Sequence, residues 1–329
     1  MKHRRMGRTG LKVSEICLGT MTFAGQCDEA TALEILDRAA DRGVTFLDTA
    51  DAYPIPPDPA TAGRTEEVIG RWFARNGRRD DFVLATKCRL RVGHGPNDQG
   101  LSRRHIIAAC AASLRRLQTD YLDLYQAHMF DPETPLDETL RAFDDLVRSG
   151  MVRYIGCSNY AAWQLALALG VSERGGLARY DCIQPRYNLL YREIESELLP
   201  LCRDQGVGVI VYNPLAGGLL SGKHAKDQPP RPGTRFTLGV SGELYRERYW
   251  HAAQFDAVEI LRDHCRTHNL NLATVSAAWV LAQPGITAAI VGASRPEQLA
   301  DTLAAPDLVL DSETRVACEA LWWTLPRRK

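Results

Sequence analysis

The stretch Phe46-Leu47-Asp48-Thr49-Ala50-Asp51-Ala52-Tyr53 begins as an apolar strand and ends in groups that exchange protons. A carboxylate, Asp48, stands where the strand should stop, and a phenol, Tyr53, follows just before Pro54. Most strands end in solvated turns without chemistry. An acid and a phenol at one strand end therefore set a pattern to seek in the rest of the chain.

The pattern recurs. Short apolar runs at 13–18, 45–49, 82–86, 121–126, 152–157, 182–184, 207–212 and 286–291 read as strands. Segments with helical spacing follow at 28–42, 66–75, 103–117, 136–149, 161–169, 195–205, 252–268, 274–282, 296–304 and 312–323. Ser102 suits an N-cap, and Pro296 suits a first helical turn. Continuous apolar strands of this kind are buried on both faces, as in a parallel sheet. Eight strand–helix units over this length favour a closed barrel, and no GxGxxG follows the first strand as an open dinucleotide-binding sheet requires. The expected fold is an α/β (β/α)8 TIM barrel with an N-terminal β-hairpin, turned by Gly7 and Gly10, and a C-terminal helix. Residues 1–329 read as one domain. Two long loops, one after Tyr53 and one from Leu215 to about Leu244, should lie on the face where strands end.

Bulk composition narrows the partners. The 40 basic and 40 acidic side chains cancel, so no net field favours nucleic acid or a membrane surface. A small-molecule substrate is expected, and a homo-oligomer stays possible. The nine cysteines form no CxxC, which points to buried free thiols in a reducing, cytoplasmic setting. No Cys/His cluster has ligand spacing, so no metal centre is expected. The basic N-terminus lacks an apolar leader segment, and no apolar run is long enough to span a membrane.

On a barrel, strand C-termini converge. Asp48, Tyr53, Lys87 and His128 then meet from neighbouring strands. An ammonium beside a phenol lowers its pKa, a carboxylate holds the ammonium, and an imidazole orients a carbonyl oxygen. Tyr53 is thereby a candidate general acid.

The segments DTADAY (48–53), ATK (85–87), DLYQAH (123–128), GCSN (156–159), QPRYN (184–188), YNPLAGGLLSGK (212–223) and GASRPEQL (292–299) resemble, in order, the aldo-keto reductases. The resemblance runs from about residue 3 to 310. It is greatest to the branch holding bacterial reductases and potassium-channel β-subunits. It implies a barrel that binds NADPH/NADP+ across its strand-end face, with Asp48, Tyr53, Lys87 and His128 as the catalytic tetrad. Retention of His128 implies carbonyl rather than carbon–carbon double-bond reduction. The resemblance places Gly19, Thr20, Met21 and Asp48 beside the cofactor, with Ser158, Asn159 and Gln184 on the carboxamide and Tyr212 against the ring. It assigns Asn213, Pro214, Leu215, Gly217, Gly218 and Ser221 to the pyrophosphate segment. Lys223, Arg235, Gly292, Ser294, Arg295 and Gln298 fall on the phosphates and adenosine, with Arg295 suited to a 2′-phosphate. Asp301 and Thr302 depart from the Glu and Asn that many members carry there.

The GxxxxGK at Gly217–Lys223 is no nucleotide-hydrolysis loop, because His224 replaces the required Ser or Thr. The expected activity is NADPH-dependent reduction of aldehydes or ketones. Oxidation of a secondary alcohol such as a sugar or polyketide hydroxyl is the alternative, as is an NADPH-binding regulatory subunit. Pro54–Arg64, Met129, Phe130, the segment 245–250, Phe23 and Trp322 are the expected substrate wall. Outside the cofactor segments the basic residues form no cluster in sequence, so a bulky, mostly apolar, unphosphorylated carbonyl is expected.

Overall fold

The computed structural model describes residues 1–326. A two-stranded antiparallel hairpin, β1 (His3–Arg5) and β2 (Lys12–Ser14), precedes the barrel. Eight parallel strands then close on themselves: β3 (Ile16–Gly19), β4 (Phe46–Asp48), β5 (Val83–Cys88), β6 (Leu122–Ala127), β7 (Val152–Ser158), β8 (Tyr180–Gln184), β9 (Gly208–Tyr212) and β10 (Ile286–Val291), with β10 paired to β3. The fold is the (β/α)8 barrel expected.

Around it lie α1 (Glu29–Asp41), α2 (Arg64–Asn76), α3 (Arg103–Leu117), α4 (Leu136–Arg148), α5 (Ala162–Gly175), α6 (Leu198–Gln205), α7 (Gly239–Tyr249), α8 (Ala252–Thr267), α9 (Leu272–Ala282), α10 (Leu299–Leu303) and α11 (Ser312–Thr324). Side-chain acceptors cap α1, α3, α9 and α11. Ser102 caps α3 by accepting from the His105 N–H, and Asp28 caps α1 through the Thr31 N–H. Helix α4 buries Leu140, Phe143 and Leu146 at helical spacing against the strands.

Alternation along the strands decides what enters the barrel. Cys17, Phe46, Ala85, Leu124, Cys182, Ile210 and Ala288 form one apolar cluster with Met6 and Val13 of the hairpin region. Residues two positions on, towards the strand C-termini, turn to the same side. They are Gly19, Asp48, Lys87, Gln126, Gln184, Tyr212 and Ile290. The hairpin closes the opposite end. Met6 reaches Gly208, and Gly7, at φ +52°, leaves no room for a Cβ beside the Gly206 carbonyl.

The structure corrects several boundaries. The run 13–18 is two strands, broken at Glu15, whose carboxylate accepts from Arg4 at 2.7 Å. Residues 193–195 make a 3₁₀ turn before α6, and 296–298 make another before α10. Lys87 lies inside β5 rather than beyond it. The segment from Leu215 is no simple loop. It holds 3₁₀ turns at Ala216–Ser221 and Arg235–Thr237, then α7. Helix α7 carries no continuous apolar stripe and buries only Gly242, Tyr245 and Tyr249. A Cβ at Gly242 would stand 3.0 Å from the Phe236 carbonyl oxygen. Close backbone packing, not propensity, holds this helix, which is why its pattern was illegible.

Candidate active site

A cavity of about 1010 Å3 opens at the strand C-termini. Asp48, Tyr53 and His128 line it. Lys87 is fully buried beside them, with 0% exposure. Its Nζ donates to Asp48 Oδ1 at 2.5 Å and to the Thr49 carbonyl at 2.8 Å, and it lies 3.5 Å from the Tyr53 hydroxyl. The second Asp48 oxygen accepts from Gln184 Nε2 at 2.8 Å and Gln126 Nε2 at 3.2 Å. The ion pair is thus clamped from both ends. The Tyr53 and His128 rings meet edge-on with centroids 5.8 Å apart. All four expected groups are therefore brought together.

Electrostatics set their protonation. Burial alone would push the Lys87 ammonium down, but Asp48 and Tyr53 outweigh it and hold it above its ordinary value. Burial raises the Tyr53 phenol, and Lys87 only partly opposes this. That corrects the expectation of a lowered phenol pKa: burial of the phenol exceeds the pull of an ammonium already paired with Asp48. Tyr53 consequently keeps its proton at neutral pH. His128 is pushed well below its usual range by burial, then by Lys87 and Arg89, so its imidazole is neutral.

Every residue expected to touch the cofactor, from Gly19 through Gln298, lines this same cavity. The Gln184 amide nitrogen is spent on Asp48, leaving its carbonyl oxygen for a ligand. Ser158 donates to the Gln184 backbone carbonyl at 2.8 Å, and the Tyr212 hydroxyl donates to Asn159 Oδ1 at 2.8 Å. Lys223, Arg235 and Arg295 gather with Arg231, and burial followed by these arginines pushes the Lys223 ammonium down. Among the described residues none of the four has a carboxylate partner. A phosphate-bearing ligand would satisfy that orphaned charge. Gly218, at φ +101°, brings backbone beside Lys223, where a Cβ would stand 3.2 Å from its Nζ. These residues fit a dinucleotide phosphate.

Sequence reasoning missed two residues. Gln126 touches Asp48 directly, and strand alternation placed it inward with His128. Arg231 completes the cation cluster but sits in a Pro/Gly-rich segment with no periodic signal. The expected wall also needs correction. Ile55, Pro57, Leu244, Tyr245 and Arg248 line the cavity. Phe23 is buried in the core, while Phe130 packs on Tyr160 and Trp163. Trp250 packs on His224, Phe236 and Phe255. Met129 lies against Arg89, and Trp322 packs on the core; none of these lines the cavity. Away from it, His264, His268 and Glu313 bring ligand-type atoms within 4.8 Å of one another, and their hydrogen bonds link α8 to α11. No helix of the described residues is long and apolar enough to cross a membrane.

Comparison with known proteins agrees with this geometry. The chain is 44% identical over 319 residues to an uncharacterized oxidoreductase, YrpG, of Bacillus subtilis, covering 95% of this chain and 93% of that one. It is 35% identical to a probable voltage-gated potassium channel subunit beta of Oryza sativa, covering 100% and 98%. It is 33% identical to versiconal hemiacetal acetate reductase of Aspergillus parasiticus, covering 95% and 94%. A sequence model of the Aldo/keto reductase family matches residues 15–322, and with the closed barrel and the buried Asp48–Lys87 pair at its mouth, the chain belongs to the aldo/keto reductase family.

Proposed function

We propose that the chain, as a single barrel domain, reduces aldehyde or ketone carbonyls with NADPH, with Tyr53 as the general acid. The observation that carries this is the buried Asp48–Lys87 pair 3.5 Å beneath a protonated phenol at the cavity floor. When bound, NADPH supplies the hydride. Lys223, Arg231, Arg235 and Arg295 would hold its phosphates, and Ser158, Asn159 and Gln184 its carboxamide.

The remaining chemistry belongs to the side chains. The substrate oxygen sits between Tyr53 and His128. The neutral imidazole donates an N–H to it, and Tyr53 gives up its proton as negative charge develops there. The phenolate left behind lies beside the Lys87 ammonium, which Asp48 fixes in place. This stabilisation grows only as charge appears, so it favours the transition state over the bound ground state. Burial of the ion pair strengthens it further.

The same groups run backwards as an alcohol oxidation, with Tyr53 as base. Similarity to a putative aryl-alcohol dehydrogenase of Schizosaccharomyces pombe supports keeping this direction open. The test is nicotinamide oxidation with an aromatic aldehyde, in parallel with NADPH and NADH. Turnover favouring NADPH is expected. Equal turnover with both cofactors would remove the role given to the cation cluster, and none with either would remove carbonyl reduction.

A further inference from the structure

Beside the main cavity lies a second recess of about 400 Å3, shaped by the ends of β7 and β8 and the turn before α6. Tyr212 stands between the two, held by its hydrogen bond to Asn159, and Arg248 lines both. Two guanidinium groups face this region. Arg186 lies with its Cζ 3.4 Å from the centroid of the Tyr191 ring and 5.8 Å from that of Tyr249. Arg248 has no hydrogen-bond or ion-pair partner among the described residues. Both are half-buried, and among the described residues neither is paired with a carboxylate. The nearby Arg192 shows the ordinary solution in this segment, pairing with Glu195 and Glu319. Glu193 and Glu197 also line the recess; both are exposed, and neither forms an ion pair with Arg186 or Arg248.

These two arginines are a group apart from the cofactor cations. Lys223 responds to Arg235, Arg295 and Arg231, whereas Arg248 and Arg186 act on Tyr212. Burial of Arg186 is outweighed by the Tyr249 and Tyr191 rings, which hold its guanidinium charged, so an anion received between the two arginines would gain charge-assisted hydrogen bonds from forks that no described carboxylate occupies. The two arginines line one recess although they lie far apart in the sequence. Stacking on Tyr191 fixes the Arg186 fork before any ligand arrives, so little side-chain entropy remains to be lost on binding.

We propose that the substrate carries an anionic group, a carboxylate or a phosphate monoester, which Arg186 and Arg248 receive while its carbonyl lies against Tyr53. This rests on the carbonyl-reduction reading above. The recess thereby selects among carbonyl compounds by charge.

The test compares kcat/KM for 4-carboxybenzaldehyde, its methyl ester and 4-formylphenyl phosphate in wild type, Arg186→Met and Arg248→Met. Wild type should prefer an anionic aldehyde over the ester by about tenfold or more, the scale of one charge-assisted contact. Each variant should bring that ratio close to one. The larger of the two anionic preferences identifies carboxylate or phosphate. A wild-type ratio near one, or a preference that survives both substitutions, overturns the proposal. If no aldehyde is reduced, carbonyl reduction itself has failed. Calorimetric titration of the NADPH complex with terephthalate and with phenyl phosphate then decides the recess separately. Binding of either that is lost in both variants upholds it, and no binding, or binding unchanged in them, overturns it.

Discussion

Breaking the Lys87–Asp48 pair should expose how much of this site is held by charge. Lys87→Met keeps an unbranched side chain of similar reach, so the cavity left behind is small. What remains is the Asp48 carboxylate, buried without its cation. Removing one partner of a buried pair costs about 3–5 kcal/mol. Asp48 keeps its bonds from Gln184 and Gln126, which places this substitution near the lower end. Asp48→Asn leaves the ammonium with the Thr49 carbonyl and a distant phenol, which places it near the upper end. The double variant removes both charges and should be no less stable than the milder single one. The coupling energy should therefore reach about 5 kcal/mol, the cost of the harsher single substitution. In a chain of this size about 1 kcal/mol corresponds to about 2 °C, so Lys87→Met should melt about 6 °C below wild type. Scanning calorimetry of all four proteins at neutral pH is the assay. The folded Lys87 pKa lies above its unfolded value, so its contribution is complete at neutral pH and is lost only as pH rises through the folded value. Additive losses across the cycle would refute the reasoning, since independent residues do not couple.

Further outcomes follow from the electrostatics. Because burial raises Tyr53 and lowers His128, the rate of reduction should be flat between about pH 6 and 8 and fall only in alkali, whereas alcohol oxidation should rise with pH. A histidine-like inflection near neutrality in the reduction profile would contradict this. Asp51 is buried with both carboxyl oxygens lacking a side-chain partner, and desolvation followed by Glu66 raises it well above its ordinary value. Its folded pKa lies above its unfolded one, so it erodes stability as pH rises above the unfolded carboxyl value. Asp51→Asn should then melt on the order of a few degrees above wild type at pH 8, and the gap should close in acid; an equal gap at both pH values would rule this out. Arg295→Ala should raise the KM for NADPH by about tenfold while leaving that for NADH unchanged, which steady-state titration reads directly.

Much of this was legible in the chain because a closed parallel barrel writes itself as a rhythm. Apolar runs such as 121–126 and 286–291 have no polar face and so mark strands covered on both sides. Strand ends mark the site, and Asp48, Lys87 and His128 all sit on them. What was illegible depends on contacts rather than period. Helix α7 rests on Gly242 against the Phe236 carbonyl, and no stripe announces it. Gln126 was hidden because an amide carries no chemistry until its partner is known. The Tyr53 pKa went the other way because its sign depends on how much burial opposes one ammonium, a balance that only packing fixes. Arg186 and Arg248 lie far apart in sequence and share a recess beside Tyr212 only in the fold.

The central claim is that Tyr53 supplies the proton to the reacting oxygen. The measurement that tests it most directly is the single-turnover rate of aldehyde reduction by Tyr53→Phe, made beside the dissociation constant of its NADPH complex. The account predicts a loss of about 10³-fold in rate with NADPH binding unchanged. A rate within about tenfold of wild type, with the cofactor bound as tightly, would contradict it.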